Sequence, residues 1–412
     1  MQSEQPIRSV AVIGGGPAGM MAAATAANLG ARVTLFDHAG ALGKKLAITG
    51  KGRCNLTNNC TEEEFLENVT KNARFLHSAI HAFPPRNTIS FFEGLGVPLK
   101  TERGNRVFPQ SDKAASIVDA MKRSLVGVRI VFAHVRAVSS FADGFSVQTD
   151  RDDAKRFDAV ILATGGKSYP ATGSDGTGYA LAARLGHTVS EPIPSLVPIE
   201  SASPVCRQLM GLSLKNVAIR IRDRGGKILY EDFGEMLFTH FGVSGPIILS
   251  ASAHLRGVAL SELTLSVDLK PALDEKKLDT RLLSDFRTEN NRDLINSLGG
   301  LLPAKMIPPF VEATGVDPHK KVHAVTKEER RAILHAFKDF RIPLLRFRPI
   351  EEAIVTSGGV SVREVAPNTM ESRLVKNLYF AGEILDLDAY TGGFNLQIAF
   401  CTGYLAGRSC AQ

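Results

Sequence analysis

The sequence has no long run of apolar residues and no recognisable export leader in its first residues. A membrane-spanning helix needs about 18 or more consecutive apolar residues, and no stretch of this chain reaches that length. The 412 residues are 44% hydrophobic and 22% charged, as in an ordinary globular protein long enough for two or three domains. We therefore expect no membrane partner and a cytoplasmic location.

Cysteine is also scarce. The five cysteines, Cys54, Cys60, Cys206, Cys401 and Cys410, are scattered along the chain. No two of them have the C-x-x-C spacing of a zinc site or of a dithiol redox couple. Their odd number in a long chain argues for reduced thiols and against a disulfide framework. We therefore predict no metal site, and the pattern does not favour a dithiol oxidoreductase.

Acidic residues are outnumbered, because 49 Lys and Arg against 42 Asp and Glu give a formal net charge of +7. A basic balance can indicate a nucleic-acid partner. Here the basic residues are spread out, and short pairs such as Lys320-Lys321 and Arg330-Arg331 have acids nearby. This distribution favours a solvated surface that attracts small anions over a nucleic-acid interface. An RNA-modifying or nucleic-acid-binding protein stays open as an alternative class.

The most informative stretch is residues 10–19, where an apolar run leads into glycines with G-x-G-x-x-G spacing and then into a helical pattern. A second apolar strand follows and ends at Asp37, at the distance where an acid binds the ribose of a dinucleotide. In such a strand, turn and helix unit the glycines let the backbone approach a pyrophosphate at the helix N-terminus. The predicted contacts are Gly14, Gly16, Pro17, Ala18, Gly19 and Asp37.

The segment at residues 43–58 follows directly and is rich in glycine, basic and amide residues. Glycines permit close backbone approach, and Lys or Arg supply charge-assisted donors, so the segment suits phosphates and a polar ring. A flexible surface loop is the alternative. The predicted cofactor contacts here are Lys44, Lys45, Gly52, Arg53, Cys54 and Asn55.

Two later strands end in polar or glycine-rich turns of the same kind. Residues 157–163 run into Thr164 and Gly165, after a β-hairpin region whose strand begins at Val135. Near the C-terminus, residues 378–383 end in Gly382 and Glu383, and a helix then opens at Gly393. A carboxylate there suits ribityl hydroxyls, and helix-start amides suit negative charge on a reduced flavin. Val135, Thr164, Gly165, Gly382, Glu383, Gly393, Phe394, Asn395 and Leu396 complete the predicted site.

The middle of the chain differs in character. Prolines at positions 192, 194, 198 and 204 lead into strand patterns, and residues 271–341 switch to charged, amphipathic helical patterns. We predict an α/β fold in which a Rossmann-like FAD-binding domain is built from both chain ends. A β-barrel-like domain and a helical cap are inserted into it. The predicted ranges are 1–191 and 353–412 for the FAD-binding domain, 192–270 and 342–352 for the barrel, and 271–341 for the cap.

Five ordered motifs make the chain resemble the BaiN/YhiN-type FAD flavoproteins, which include bile-acid dehydro-reductases and aminoacetone-oxidase-like proteins. The motifs lie at residues 14–19, 43–58, 165–173, 356–360 and 381–397, and the resemblance covers nearly the whole length. It implies FAD as cofactor, bound by the residues named above, and the same three parts of the fold. Activities in this family are diverse, so the resemblance implies no particular substrate.

The main functional hypothesis is an FAD-dependent oxidoreductase that transfers hydride through flavin N5 to or from a small organic substrate. NAD(P)H would be the donor and would visit only transiently, because the chain has one G-x-G-x-x-G and hence no dedicated nicotinamide domain. Alternatives are an amine or alcohol oxidase that uses oxygen, the RNA-modifying protein named above, and a flavin-binding regulatory protein without turnover. Asn55, Tyr169 and Tyr390 are candidate catalytic residues, although each also suits a structural or cofactor contact. The sequence does not give the oligomeric state.

Overall fold

The computed structural model describes residues 7–151 and 154–412, so the first predicted domain extends at two places beyond the described residues. The chain divides into two compact units. One contains the residues up to 195 together with those from 349 onward, and the other contains residues 196–348. Each unit has its own hydrophobic core. No helix among the described residues is long and apolar enough to cross a bilayer.

The first unit begins with short strands alternating with helices. Its strands up to residue 195 are β1 (Ser9–Ile13), β2 (Arg32–Asp37), β3 (Thr57–Asn58), β4 (Val69–Lys71), β5 (Leu99–Glu102), β6 (Arg106–Pro109), β7 (Arg129–Phe132), β8 (Val135–Phe141), β9 (Gly144–Thr149), β10 (Lys155–Phe157), β11 (Ala159–Leu162) and β12 (Val189–Ser195). The helices are α1 (Pro17–Asn28), α2 (Lys44–Ile48), α3 (Glu62–Glu67), α4 (His77–Ala82), α5 (Pro85–Gly94), α6 (Ala114–Arg123) and α7 (Thr177–Arg184).

The second unit contains β13 (Ile199–Glu200), β14 (Ser213–Arg222), β15 (Ile228–Thr239), β16 (Gly242–Ser244), β17 (Thr264–Asp268), β18 (Phe340–Pro343) and β19 (Arg346–Phe347). Its helices are α8 (Pro204–Gln208), α9 (Pro246–His254), α10 (Glu275–Thr288), α11 (Leu294–Ser297), α12 (Ile307–Thr314) and α13 (Lys327–Lys338). The chain then returns to the first unit with β20 (Val355–Val360), β21 (Leu378–Phe380), β22 (Asp388–Ala389) and α14 (Phe394–Ala411).

A five-stranded sheet organises the first unit, with the order β21-β11-β1-β2-β7 and all neighbours parallel. The residues of β1 and β11 are buried along their whole length, as the apolar runs of a parallel sheet with both faces covered require. Because β21 comes from the C-terminal part of the chain, both chain ends build one sheet. The predicted α/β class with a Rossmann-like core is therefore confirmed.

Helices α1 and α14 pack closely because α14 presents glycines to α1. A Cβ at Gly403 would lie 2.4 Å from the Ala18 carbonyl oxygen, and a Cβ at Gly407 would lie 2.4 Å from the Ala22 carbonyl oxygen. The four-residue spacing puts both glycines on one face of the helix. This contact fixes the axis of α14, and with it the direction in which the N-terminus of that helix points.

The second unit contains a seven-stranded sheet with the order β18-β17-β14-β15-β16-β13-β19, in which all neighbours are antiparallel. Its helices α10, α12 and α13 contribute buried side chains such as Leu282, Phe310 and Phe337 to the same core as the strands. The helical segment therefore belongs to the compact body that contains this sheet. Closure of the sheet into a barrel stays a prediction.

Candidate cofactor-binding site

The turn between β1 and α1 uses its glycines in two different ways. Gly14 has a φ of +111°, and a Cβ there would lie 2.3 Å from the Ala163 carbonyl oxygen. A Cβ at Gly19 would lie 1.8 Å from the Gly14 carbonyl oxygen. At Gly16, in contrast, no heavy atom of the described chain lies within 4 Å of a Cβ. Gly14 and Gly19 are thus required by the packing of the chain, whereas Gly16 borders open space at the start of α1, where Pro17 occupies the first turn.

Asp37, at the end of β2, lies against this turn. Its Oδ2 accepts a hydrogen bond from the Gly15 N–H at 2.8 Å, and its Oδ1 accepts one from the Ala39 N–H at 2.8 Å. A carboxylate has about four acceptor positions, so two of them remain for other donors. The geometry fixes the carboxylate beside the glycine turn, where ribose hydroxyls bind in dinucleotide folds.

The start of β8 lies next to the end of β2. The ring of His38 stacks on that of His134 with 4.9 Å between centroids, and Val135 follows His134 directly and is buried. His38 Nε2 also lies 3.3 Å from Asp175 Oδ2. Burial lowers the pKa of His134, as do the neighbouring charges of Arg136 and His38. The His38–His134 contact therefore brings the start of β8, where Val135 lies, close to the end of β2, although almost 100 residues separate them.

The loop after β2 winds through left-handed backbone conformations at Gly43, Gly50, Lys51, Gly52 and Cys54. Cys54 is fully buried, and burial raises the pKa of its thiol to about 12. Such a thiol is protonated at neutral pH and is a poor nucleophile, which fits a packing role. The path of the loop is thus set mainly by these left-handed backbone positions.

Three basic side chains of this loop have different surroundings. Lys44 is exposed, whereas Lys45 points towards the C-terminal part of the first unit. The Arg53 guanidinium pairs with Glu102 and Asp112 and lies 4.2 Å from the ring centroid of Phe108. The Arg53 side chain therefore ties the loop to β5 and β6, and its contact with the cofactor stays a prediction.

Glu383 is the centre of a polar cluster that joins four separate segments. Its Oε2 lies 2.8 Å from Lys45 Nζ, and its Oε1 accepts a hydrogen bond from the Thr356 N–H at 2.8 Å. Ser168 Oγ donates to Oε1 at 3.3 Å and accepts from Lys45 Nζ at 2.6 Å. The sequence predicted Lys45 and Glu383 but missed Ser168 and Thr356. Both are hydroxyl residues within the glycine-rich motifs, and this position was the available signal.

The N-terminus of α14 is fixed from two sides. Gly393 has a φ of +99°, and a Cβ there would lie 2.4 Å from the Thr57 carbonyl carbon and oxygen. Asn58 Nδ2 donates to the Gly392 carbonyl oxygen at 3.2 Å. The Asn395 side chain accepts from the Ala389 N–H at 3.0 Å and donates to the Ala389 carbonyl oxygen at 2.7 Å. Thr57 and Asn58 were missed, because nothing in their sequence shows that β3 packs against a turn more than 330 residues away.

Within the described chain no side chain caps α14 at Gly393. The first amides of a helix have no partner inside the helix, and they form a positive end that favours negative charge. In α14 these are the amides of Phe394, Asn395 and Leu396, and the Phe394 ring packs against Phe65 with 5.8 Å between centroids. The arrangement can therefore stabilise a developing negative charge on a bound group.

The three candidate catalytic residues lie at two places. Asn55 lies two residues before Thr57, and Tyr390 lies three residues before Gly393, so each is close in sequence to the contact between β3 and the start of α14. Tyr169 follows Ser168 and has a left-handed backbone, with its N–H donating to the Glu351 carbonyl oxygen at 3.2 Å. A catalytic role for each of them stays a prediction.

The comparisons with known proteins agree with the Rossmann-like fold. The family described as "HI0933-like protein Rossmann domain" matches residues 8–409. The chain belongs to this family. It is 32% identical over 412 residues to the 3-dehydro-bile acid delta(4,6)-reductase of Clostridium scindens, covering 98% of this chain and 99% of the relative. The resemblance inferred from the five motifs is thereby confirmed, and the protein is an oxidoreductase of the FAD flavoprotein type.

Two further similarities are informative. The chain is 29% identical over 404 residues to the ribosomal RNA dihydrouridine synthase of Escherichia coli K12, with coverage of 97% of this chain and 96% of the relative. Among solved structures, it is similar to the 3-ketosteroid-delta4-(5alpha)-dehydrogenase of Rhodococcus jostii, with a TM-score of 0.51 and 16% identity over 100% of this chain and 98% of that one. At this identity the structural likeness shows the fold alone.

The residues of the site fit FAD. Asn55 Oδ1, Thr164 Oγ1 and Ser174 Oγ are shielded from solvent, and none of them has a hydrogen-bond partner within the described residues. A buried polar atom without a partner costs about 1–3 kcal/mol, so such atoms are expected where a ligand supplies the partner. These polar atoms and the open space at Gly16 suit a ligand that carries phosphates, hydroxyls and a polar ring. Gly165 and Gly382 lie in the turns beside Ser174 and Ala18.

We expect the Gly393→Ala variant to be strongly destabilised, because the new methyl group would collide with the backbone of Thr57. The matched control is Gly104→Ala, since Gly104 has a φ of +74° but no heavy atom of the described chain within 4 Å of a Cβ. The control isolates the cost of a left-handed alanine, about 1–2 kcal/mol. Urea unfolding should show Gly393→Ala losing at least about 2 kcal/mol more than that. Equal losses would show that the contact of Gly393 with Thr57 is not required.

Proposed function

We propose that the protein is an FAD-dependent reductase that adds hydrogen across a C=C bond conjugated to a carbonyl group in a small organic substrate. The names of two relatives support this reaction class. A delta(4,6)-reductase of a 3-dehydro bile acid saturates C=C bonds of a keto steroid, and a dihydrouridine synthase saturates the ring C=C bond of uridine. Both relatives are similar to nearly the whole chain. The chemistry they have in common is the reduction of a C=C bond activated by a carbonyl.

The observation that carries the proposal is a polar cradle formed from both ends of the chain. It consists of Gly16, the Lys45–Glu383 pair and the first amides of α14. When bound, FAD supplies hydride from N5, and NAD(P)H is the proposed donor that reduces the oxidised flavin again. The Lys45–Glu383 pair would hold the ribityl chain, and Gly16 would leave room for the pyrophosphate. The amides at the start of α14 would stabilise negative charge at the N1/C2=O edge of the ring. These residues bind and orient the cofactor, so the substrate specificity must come from other residues.

The test is an anaerobic cycle on the purified, flavin-loaded protein. NADH or NADPH should bleach the oxidised-flavin absorbance, and a keto steroid with a conjugated C=C bond should restore it. Mass spectrometry should find a steroid product two hydrogens heavier. The corresponding saturated ketone is the control and should leave the flavin reduced. If only molecular oxygen restores the absorbance, the protein is an oxidase and the proposal fails.

Reduction of uridine in RNA is the second candidate, and two observations favour it. One relative is a ribosomal RNA dihydrouridine synthase, and the net charge of +7 suits a polyanionic substrate. In the same anaerobic cycle, ribosomal RNA would then restore the flavin absorbance and gain dihydrouridine, while keto steroids and free uridine would not. Binding of the RNA would also weaken steeply with salt. Salt-independent binding, or none at low salt, would dismiss this candidate.

A further inference from the structure

A short segment of the first unit, residues 68–72, lies along the loop that leads into α14. Strand β4 pairs antiparallel with β22. The Tyr390 N–H donates to the Asn68 carbonyl oxygen at 3.0 Å, and Thr70 Oγ1 donates to the Asp388 carbonyl oxygen at 3.1 Å. This segment thus holds the backbone of the loop between Glu383 and the helix start by contacts that the sequence did not indicate.

The segment also brings a charge to the loop. Lys71 Nζ lies 2.6 Å from Asp386 Oδ1, and Asn72, in a left-handed conformation, donates from Nδ2 to the Asp386 carbonyl oxygen at 2.7 Å. Asp386 is only 6% exposed, whereas about a third of the Lys71 side chain is exposed. A carboxylate buried to this degree needs a countercharge, because removal of one partner leaves an uncompensated charge in the interior.

The loop is coupled to the first turn of α14. Asp386 precedes Gly393 by seven residues, and between them Ala389 is held through its N–H and its carbonyl oxygen by Asn395 of the helix. Asp386 therefore belongs to a loop that the first turn of the helix holds through Ala389. A negative charge at that position opposes the effect of the helix end, which favours negative charge on a bound group.

We propose that Lys71 is a positioning residue that sets the redox potential of the bound flavin by cancelling the charge of Asp386 in the loop that leads into α14. This rests on the proposed function, since it requires the ring of FAD at the N-terminus of that helix. Loss of the Lys71 charge leaves the Asp386 carboxylate without a countercharge, and this negative charge makes reduction of the flavin less favourable. Loss of the Asp386 charge leaves the Lys71 ammonium without a countercharge, and this positive charge makes reduction of the flavin more favourable. The two single changes therefore shift the potential in opposite directions.

The test is a redox equilibration of the flavin-loaded protein with a reference dye. Lys71→Gln should shift the equilibrium about tenfold towards oxidised flavin, which corresponds to about 30 mV for a two-electron couple. Asp386→Asn should shift it towards reduced flavin, and the double variant should return close to the wild-type value. Lys122→Gln removes a surface lysine that lies 3.9 Å from Asp119, and it should leave the equilibrium unchanged.

Structural damage would move both single variants in the same direction, so shifts of one sign, or no shift, overturn the inference. If Lys71→Gln releases the flavin, Asp386→Asn alone decides, because only the electrostatic role predicts a shift towards reduced flavin. A wild-type protein that takes up no FAD would instead refute the proposed function. The two failures are therefore distinguishable.

Discussion

Replacing Gly16 by valine should abolish FAD retention while leaving the chain folded. Gly16 has an extended backbone with a φ of −78°, and no heavy atom of the described residues lies within 4 Å of a Cβ there. The added side chain would project into the space proposed for the pyrophosphate. We expect FAD to bind at least about 100-fold more weakly, or about 2.7 kcal/mol. The measurement is the flavin-to-protein absorbance ratio after gel filtration, with thermal unfolding of the apoprotein measured alongside.

Gly19→Val is the matched control for this change. Its Cβ would lie 1.8 Å from the Gly14 carbonyl oxygen, so the helix cannot pack on the turn, and the expected result is loss of the fold itself. The pair separates a glycine that makes room for a ligand from one that makes room for the chain. If the Gly16 variant purifies with full flavin, or unfolds like the Gly19 variant, the placement of the pyrophosphate is wrong.

Replacing Glu383 by alanine should lower both the free energy of unfolding and the affinity for FAD. The change leaves the Lys45 ammonium, on a side chain that is 21% exposed, without its carboxylate, and it also removes the acceptor of the Thr356 N–H. We expect a loss of about 2 kcal/mol in stability, because a partly buried charge and a buried donor both lose their partner. FAD affinity should fall at least about tenfold, because the proposed ribityl acceptor is gone.

Two comparisons make this result specific. Glu93→Ala removes an exposed carboxylate from the same unit and should change neither quantity measurably. A double-mutant cycle with Lys45→Met tests the pairing, since the second change should cost less once the first has been made. Additive losses, or an equal effect of the Glu93 and Glu383 variants, would contradict a special role for the Lys45–Glu383 pair.

Much of the first unit could be predicted because its signals are local. The glycine turn, the apolar strands on either side of it and the acid at the end of β2 are adjacent in the chain, and the backbone geometry of that turn requires these residue types. The same holds for the glycine-opened start of α14. The predicted Rossmann-like core and its construction from both chain ends follow from these short segments.

Arg53 shows what this approach leaves undecided, and its contact with the cofactor stays a prediction. Its position in a glycine-rich loop indicated a cofactor contact, yet its guanidinium pairs with Glu102 and Asp112. Charge attraction does not depend on distance along the chain, and the sequence contains 42 acidic residues that could pair with a basic one. A sequence therefore shows that a side chain is charged, but the fold selects its partner.

The sequence by itself determined the fold class, the family and the two ends of the proposed FAD site, because these depend on backbone conformations set by neighbouring residues. Only the tertiary structure decided that Ser168 and Thr356 bind Glu383. It also decided that Thr57 packs against Gly393 and that Lys71 forms an ion pair with Asp386. Each of these contacts joins segments far apart in the chain. No local periodicity encodes such a contact, since it arises only when the packed core has brought the segments together.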